Sequence, residues 1–342
     1  MRFFTAMAAL LLAVVISGPV HGADDFYKGK KIRLIVSSSP GGGNDTYSRL
    51  IARHIPRHIP GNPTVIVQNM PGAGGIMAAD YLYRKAKRDG TVLEQINWGV
   101  WFHQVVGSKR ARFDFNKINA VGVAAIESAI LFTRKSEFPD WKSVLASKKL
   151  ITSGNSGRQS LGYTMGKVME VIEGRRIFDY VFGYPGARQY SLAFRQGEVQ
   201  SSGNTPGSFA DQLGDMWDEG KVAMLAQAPT PEGGRTKEFP DTPTLLEYAK
   251  TDAHREVIKV AFDLTHYGRP YALPPGVPKD RVQIMRDAFD ATMKDPKFLA
   301  EAKRIKRVII PSTGAKLQQL WKNVLNASPE NLAIFKEIFG ES

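Results

Sequence analysis

Twice within its first hundred residues the chain runs from a short apolar stretch, through a glycine-rich turn, into an amphipathic segment. IRLIV (32–36) leads through SSSPGGGND into TYSRLIARHI, and TVIVQN (64–69) leads through MPGAGG into IMAADYLYRKA (76–86). Short apolar runs bounded by turn residues read as buried strands. After the first turn Tyr47, Leu50, Ile51 and Ile55 recur at helical spacing, and Pro56 with Pro60-Gly61 ends the segment. The pattern continues less sharply in LITSGNSGRQSLGYTMGKVME (150–170) and FDYVFGYPGARQYSLAFRQG (178–197). TVLEQIN (91–97), VGVAAI and AILFT (between 121 and 133), and VAMLAQ (222–227) add further strands. Strands alternating with helices predict an α/β fold.

A Pro/Gly-rich loop, PTPEGGRTKEFPDTPT (229–244), precedes a helical tail. In that tail Val282, Met285, Ala288, Phe289 and Thr292 share one face, and Asp295-Pro296 caps the next helix. At the other end, Arg2, the apolar AMAALLLAVVI (6–16) and the break Ser17-Gly18-Pro19 predict an export leader over residues 1–22, cut before Ala23. The apolar run is too short to span a bilayer. The absence of cysteine excludes disulfides, thiolate nucleophiles and Cys-based zinc sites. It also fits an oxidising compartment.

The formal charge of +13 points to anionic partners. Lys and Arg are nevertheless scattered. The densest run, KRIKR (303–307), reads as a solvated helix face, with no RNP motif or zinc-finger spacing beside it, so no nucleic-acid partner is expected.

The glycine turns are poor nucleotide motifs. GGGND lacks a following Lys-Ser/Thr pair, and after PGAGGIMAAD only Glu94 stands in for the acidic residue a dinucleotide site needs. Catalytic patterns are also weak: GNSG (154–157) is not G-x-S-x-G, and there is no H-E-x-x-H. His54 and His58 read as helix-end residues, and Asp45 as a helix N-cap rather than a base. The physics of the turns remains. A helix start presents free N–H groups and partial positive charge, and glycine lets a ligand approach the backbone. Several such turns at equivalent strand ends make a carboxylate cradle with no cofactor or metal.

In order along the chain, IRLIVSSSPGGGNDTYSRLIARHI, VIVQNMPGAGGIMAADYLYRKAKRDGTVL, SGNSG (153–157), FGYPGARQY (182–190), FPDTPTLLEY (239–248) and LPPGVPKDRVQIMRDAF (273–289) resemble the successive motifs of one family. They are similar to the tripartite tricarboxylate transporter receptors, the Bug family of periplasmic solute-binding proteins. The resemblance implies a two-lobed α/β flytrap, with residues 23–125 and 262–342 in lobe one and 126–261 in lobe two. It implies ligand contacts from Ser38, Ser39, Gly42, Gly43, Asn44, Asp45, Ala73 and Gly74 on the first lobe. On the second it implies Ser153, Asn155, Ser156, Gly157, Tyr184, Gly186 and Asn204. Three arginines fall near the implied cleft: Arg158, Arg188 and Arg269. Each is either a surface cation or a carboxylate partner, and Arg269, flanked by Tyr267, Pro270 and Tyr271, is the preferred partner. Trp98 and Trp101 follow the third strand as either core or pocket wall, and Trp98 is taken as wall.

These features together predict an exported monomeric receptor, not an enzyme. It captures a small organic mono- or dicarboxylate and delivers it to membrane transporter subunits. A periplasmic sensor that presents its closed form to a signalling partner, or a hydrolase using the glycine turns as an oxyanion site, stays open at this level.

Overall fold

The computed structural model describes residues 26–97, 99–126, 128–230, 233–262 and 268–339. The leader expected over residues 1–22, and Trp98, lie outside them. The first repeat folds as β1 (Lys31–Val36) into α1 (Gly43–His54), and the second as β2 (Thr64–Asn69) into α2 (Ile76–Arg84). β3 (Val92–Gln95), α3 (Phe102–Val105) and β4 (Asn119–Val123) follow. The chain then enters β5 (Ile130–Arg134), α4 (Trp141–Ala146), β6 (Ile151–Gly154), α5 (Leu161–Glu173), β7 (Phe178–Val181), α6 (Ala187–Gln196), β8 (Ser201–Asn204), α7 (Pro206–Asp218) and β9 (Val222–Gln227). Last come α8 (Leu245–Tyr248), α9 (Asp252–Phe262), β10 (Pro270–Leu273), α10 (Lys279–Lys294), α11 (Pro296–Arg304), β11 (Ser312–Thr313), α12 (Gly314–Leu325) and α13 (Pro329–Phe339).

The described strands form two sheets, ordered β11-β4-β10-β3-β1-β2 and β7-β6-β8-β5-β9. Each has the same heart. β1 lies parallel between β2 and β3, and β6 lies parallel between β7 and β8. Antiparallel strands complete each sheet: β10 joins β3 to β4, and β5 joins β8 to β9. The chain crosses between sheets after β4 and again before β10. The two crossings are stitched together: Ala124 N–H donates to the Arg269 carbonyl, and Arg269 N–H to the Ala125 carbonyl at 3.0 Å. Gly268 precedes this stitch at φ +47, and any Cβ there would strike the Ala125 carbonyl, so only glycine fits.

Apolar burial ties the two sheet units together. α13 packs against α3 of the first unit and against α5 and α9 beyond the crossing. Phe335 brings its ring to 5.5 Å from Phe102 and edge-on to Trp101. Trp101, 1 % exposed, is therefore core and not pocket wall. Each such ring contributes about 1.5–3 kcal/mol on burial. Polar ties cross the same gap: Arg307 donates to both carboxylate oxygens of Asp211 on α7, and Ser39 Oγ donates to Gln189 Oε1 on α6 at 2.7 Å.

Several local expectations shift. α1 starts two residues before Asp45, with Gly42 as its N-cap. Asp45 is not the cap; it sits in the first turn and its carboxylate accepts from the Gly41 N–H at 2.9 Å. KRIKR is not one solvated face, since α11 stops at Arg304 and Arg307 folds back, buried, onto Asp211. His54 is buried and pairs with Glu301 of α11, while His58 pairs with Asp295, the N-cap of α11. Glu94 cannot serve a ribose. It is fully buried mid-sheet, neither oxygen has a hydrogen-bond partner among the described residues, and burial pushes its carboxyl well above the usual range.

Candidate functional site

The loops that follow the parallel strands open at one place, between the sheets. This is where α/β folds place ligands, because helix starts gather at the carboxyl ends of parallel strands. The N-caps Gly42 of α1, Ser160 of α5, Gly186 of α6 and Thr205 of α7 all line one cavity of about 100 Å³. Gly74 adds the loop that leads to α2. Each of these helices is long enough to carry a full terminal dipole, so four partial positive ends point into one small space.

The first-unit wall is mostly backbone. Residues Gly72 to Gly75 all have positive φ (147, 46, 64 and 104°), Ala73 included. That run explains PGAGG: a side-chain-bearing residue in the left-handed region costs roughly 1–2 kcal/mol, and three of the four positions avoid the cost with glycine. On the preceding loop a Cβ at Gly43 would strike Ser208 Oγ and the Arg269 guanidinium, so α7 and Arg269 close directly on bare backbone. Asp45 braces this wall from behind. Its carboxylate accepts from Gly41 N–H, Arg49 Nε and Asn69 Nδ2, each at 2.9 Å. Burial pushes the Asp45 carboxyl up, but these hydrogen bonds outweigh burial and hold it below the usual carboxylate range.

The second-unit wall is made of side chains. Asn155 donates to the Ser153 carbonyl and hydroxyl and accepts from Ser160 Oγ at 2.9 Å. Thr205 caps α7 by accepting from Ser208 N–H, and its own N–H donates to Asn204 Oδ1. Tyr190 lines the cavity with its hydroxyl pushed up by burial against the opposing pull of Arg269, so it stays a protonated donor.

Arg269 stands where the two crossings meet. It is 6 % exposed, donates to Asn44 Oδ1 and, at 3.4 Å, to Thr205 Oγ1, and packs over the Tyr47 ring at 4.5 Å. It thus touches both units and the cavity. No Asp or Glu lines this cavity among the described residues, so the cation and the helix ends act unopposed there.

The cavity brings together Ser38, Gly42, Gly43, Asn44 and Gly74 of the first expected set, Ser156, Gly186 and Asn204 of the second, and Arg269. Ser38 Oγ is buried and without a hydrogen-bond partner among the described residues. Ser39 faces Gln189, and Asp45 faces its own loop. Ser153 and Asn155 are buried behind the wall as its internal bracing. Ala73, Gly157 and Tyr184 line an adjoining chamber, as does Arg158. Arg188 lies against Gly41 outside the cavity. Sequence reasoning missed Ser37, Asn97, Ser160, Tyr190, Thr205 and Ser208. Thr205-Pro206 was the available signal, since a hydroxyl residue before proline is a helix start. Among the described residues no histidine lines this cavity, so Ser156 and Ser160 have no imidazole base there.

Two sheets, each with a parallel core, and an anion-friendly cavity between them define the architecture of the two-lobed periplasmic binding proteins. No family model matches the chain. It is similar over most of its length to curated relatives, among them a UPF0065 protein in the gbd 5' region of Cupriavidus necator, 26% identical over 309 residues that cover 87% of this chain and 86% of the relative. A UPF0065 protein from the ttuE-ttuC' intergenic region of Agrobacterium vitis is 22% identical, covering 88% of this chain and 90% of the relative. Among solved structures, the periplasmic binding protein BugD superposes with a TM-score of 0.71 at 18% identity, covering 91% of this chain and 98% of that one. MatC from Rhodopseudomonas palustris with bound malate superposes at 0.68 and 18% identity, over 91% and 99% of the two chains. An R. palustris protein with adipate superposes at 0.66 and 18%, over 87% and 94%. The resemblance to the tripartite tricarboxylate transporter receptors, the Bug family, read from the loops is borne out by these relatives, and the chain shares the fold of the solved periplasmic binding protein BugD. No helix among the described residues is long and apolar enough to cross a membrane.

Proposed function

We propose that this protein is an exported periplasmic receptor that captures a small organic carboxylate between two lobes and delivers it to a membrane transporter of the tripartite tricarboxylate type. The observation that carries the reading is the convergence of four helix N-termini and the buried Arg269 on one cavity with no acidic lining among the described residues. An oxyanion there gains backbone N–H donors, aligned dipoles and a charge-assisted hydrogen bond, without side chains having to be ordered on binding. The structural neighbours whose names carry malate and adipate support the same ligand chemistry. The described residues within 23–125 and 262–342 form one lobe and those within 126–261 the other, the stitched crossings at Ala124, Ala125 and Arg269 are the hinge, and the contacts of Ser39 with Gln189 and of Arg307 with Asp211 are those of the closed form. The ligand gains contacts from both walls only when the lobes meet, which is the differential affinity that drives closure. The protein acts as a monomer, without catalysis.

The test is a thermal-shift screen of the mature protein against mono-, di- and tricarboxylates. A ligand that binds only the folded state raises the melting temperature by mass action. A rise confined to one acid series supports the receptor; flat curves for a folded protein, shown free of copurified ligand, sink it.

A further inference from the structure

Cations that lie scattered in the sequence are gathered by the fold at a place away from the cleft. β1, β2 and β3 run parallel, so while their carboxyl ends open on the cavity their amino ends share the opposite pole of the first sheet. Lys28, Lys30 and Lys31 lead into β1, and Lys85, Lys87 and Arg88 fill the turn from α2 to β3. The two runs lie side by side. Arg33 N–H donates to the Thr91 carbonyl at 2.9 Å, and the hydroxyl of the buried Tyr27 donates to the Gly90 carbonyl at 3.3 Å. The Phe26 ring carries the Lys30 ammonium at 5.0 Å and the Arg281 guanidinium at 3.6 Å, and Arg281 also donates to the Asp89 carbonyl. The cluster therefore stands on a fixed frame and not on a loose tail.

All six cations are exposed, and among the described residues none of their side chains makes a hydrogen bond or an ion pair. Other exposed cations are served differently: Arg53, Arg195 and Arg235 each meet a carboxylate. The acids beside the cluster do not neutralise it. Asp89 accepts from the Thr91 N–H and hydroxyl, and Asp80 pairs with Arg84. Asp280, in the first turn of α10, pairs with none of the six. Like charges gathered in this way repel one another, so the cluster destabilises the compact state until something anionic covers it.

Five of the six are lysines. An ammonium on a flexible stem is a point charge suited to a diffuse negative field, whereas the forked recognition of a single carboxylate or phosphate favours arginine. The pole also contributes no residue to the inner cavity or to the adjoining chamber. We infer that this pole docks on the headgroups of an anionic phospholipid bilayer and leaves the cleft uncovered. The attraction is summed over cations within a Debye length of the surface, at about fivefold in affinity for each. The docking is independent of what the cleft holds.

Vesicle flotation of the mature protein tests it, with phosphatidylcholine vesicles set against vesicles in which about a third of the lipid is phosphatidylglycerol. Binding should be confined to the anionic vesicles and should fade between about 0.1 and 1 M salt, as the Debye length shrinks from roughly 10 to 3 Å. Lys87→Gln/Arg88→Gln should lower vesicle affinity about 25-fold, and Lys28→Gln/Lys31→Gln should do the same from the other run. Lys148→Gln/Lys149→Gln removes two exposed cations from the second unit and should leave vesicle affinity nearly unchanged, with all three variants melting like the parent. Equal losses in the three variants would make net charge the cause and overturn the assignment. So would binding that ignores lipid charge, or no binding to the anionic vesicles. Capture on immobilised polyglutamate with none on vesicles would overturn it too, in favour of an acidic protein partner.

Discussion

The two walls of the inner cavity face each other but are made of different materials. The wall from β1 and β2 is backbone: glycines at positive φ, a bare helix start at Gly42, and Asp45 bracing the loop from behind. The wall from β6, β7 and β8 is side chain: Ser160, Tyr190, Asn204 and Thr205, with Asn155 locking the loop internally. The difference teaches that one electrostatic result, donors aimed at an anion, can be reached by removing side chains or by choosing them. The first route depends on conformation, so its weak points are φ angles and a brace. The second depends on individual hydroxyls and amides, so its weak points are single atoms.

The largest effect should come from the residue that joins the walls. Arg269→Met removes the buried cation while keeping bulk over Tyr47, and carboxylate affinity by calorimetry should fall roughly 10- to 100-fold, the range for a hydrogen bond to a charged group. An unchanged affinity would mean that the backbone wall alone holds the anion. Next is the brace. Asp45→Ala removes the acceptor of the Gly41 N–H and of Arg49 Nε and one of the two acceptors of Asn69 Nδ2, and should cost about 1–3 kcal/mol in denaturant unfolding. Because the folded-state carboxyl titrates below its unfolded value, its stabilisation is present above the unfolded pKa and is lost as pH falls through the folded one. Asp45→Asn should therefore show a flatter acid limb in stability against pH than the parent protein; parallel limbs would remove the brace from the argument.

Gly74→Ala tests the conformational wall more gently, since it places a Cβ at φ +64. About 1–2 kcal/mol of stability should be lost, with weaker ligand binding because the new methyl also meets Gln159 from the opposite wall. The smallest effect should be Thr205→Ala, which removes the α7 cap and costs about 1 kcal/mol. If Thr205→Ala lowers affinity more than Gly74→Ala does, the side-chain wall carries more of the binding than the backbone wall, and the comparison reverses.

Legibility in the sequence follows the same division. The backbone wall was visible because glycine and proline announce their conformations: PGGGND and PGAGG appear where β1 and β2 end, and those strands match the apolar runs closely. The side-chain wall was less visible. β8 is SSGN, four small or polar residues with no strand pattern, buried because β5 and β6 flank it in the sheet and α5 and α6 pack on it, and not because its side chains are apolar. Without β8 the reading could not place α7, nor see Thr205 and Ser208 at the cavity. Arg269 was found through its aromatic and proline neighbours, but its role as the link between crossings depends on hydrogen bonds from Ala124 and to Ala125, far away in sequence. Arg307 shows the opposite failure. Inside KRIKR it resembles its solvated neighbours, and only the end of α11 at Arg304 turns it inward.

The run of four left-handed residues at Gly72–Gly75 has a consequence for how such a receptor can diversify. Peptide N–H groups cannot be mutated away, so most substitutions around that loop leave its donors in place provided the glycines keep their places. On the proposed receptor function, a carboxylate held there is gripped by a feature nearly immune to drift, while the adjoining chamber is lined by ordinary side chains such as Phe182 and Arg158. Under that proposal, a lineage built on this plan exchanges one organic acid for another by altering a handful of residues in the chamber, without re-inventing the grip on the carboxylate.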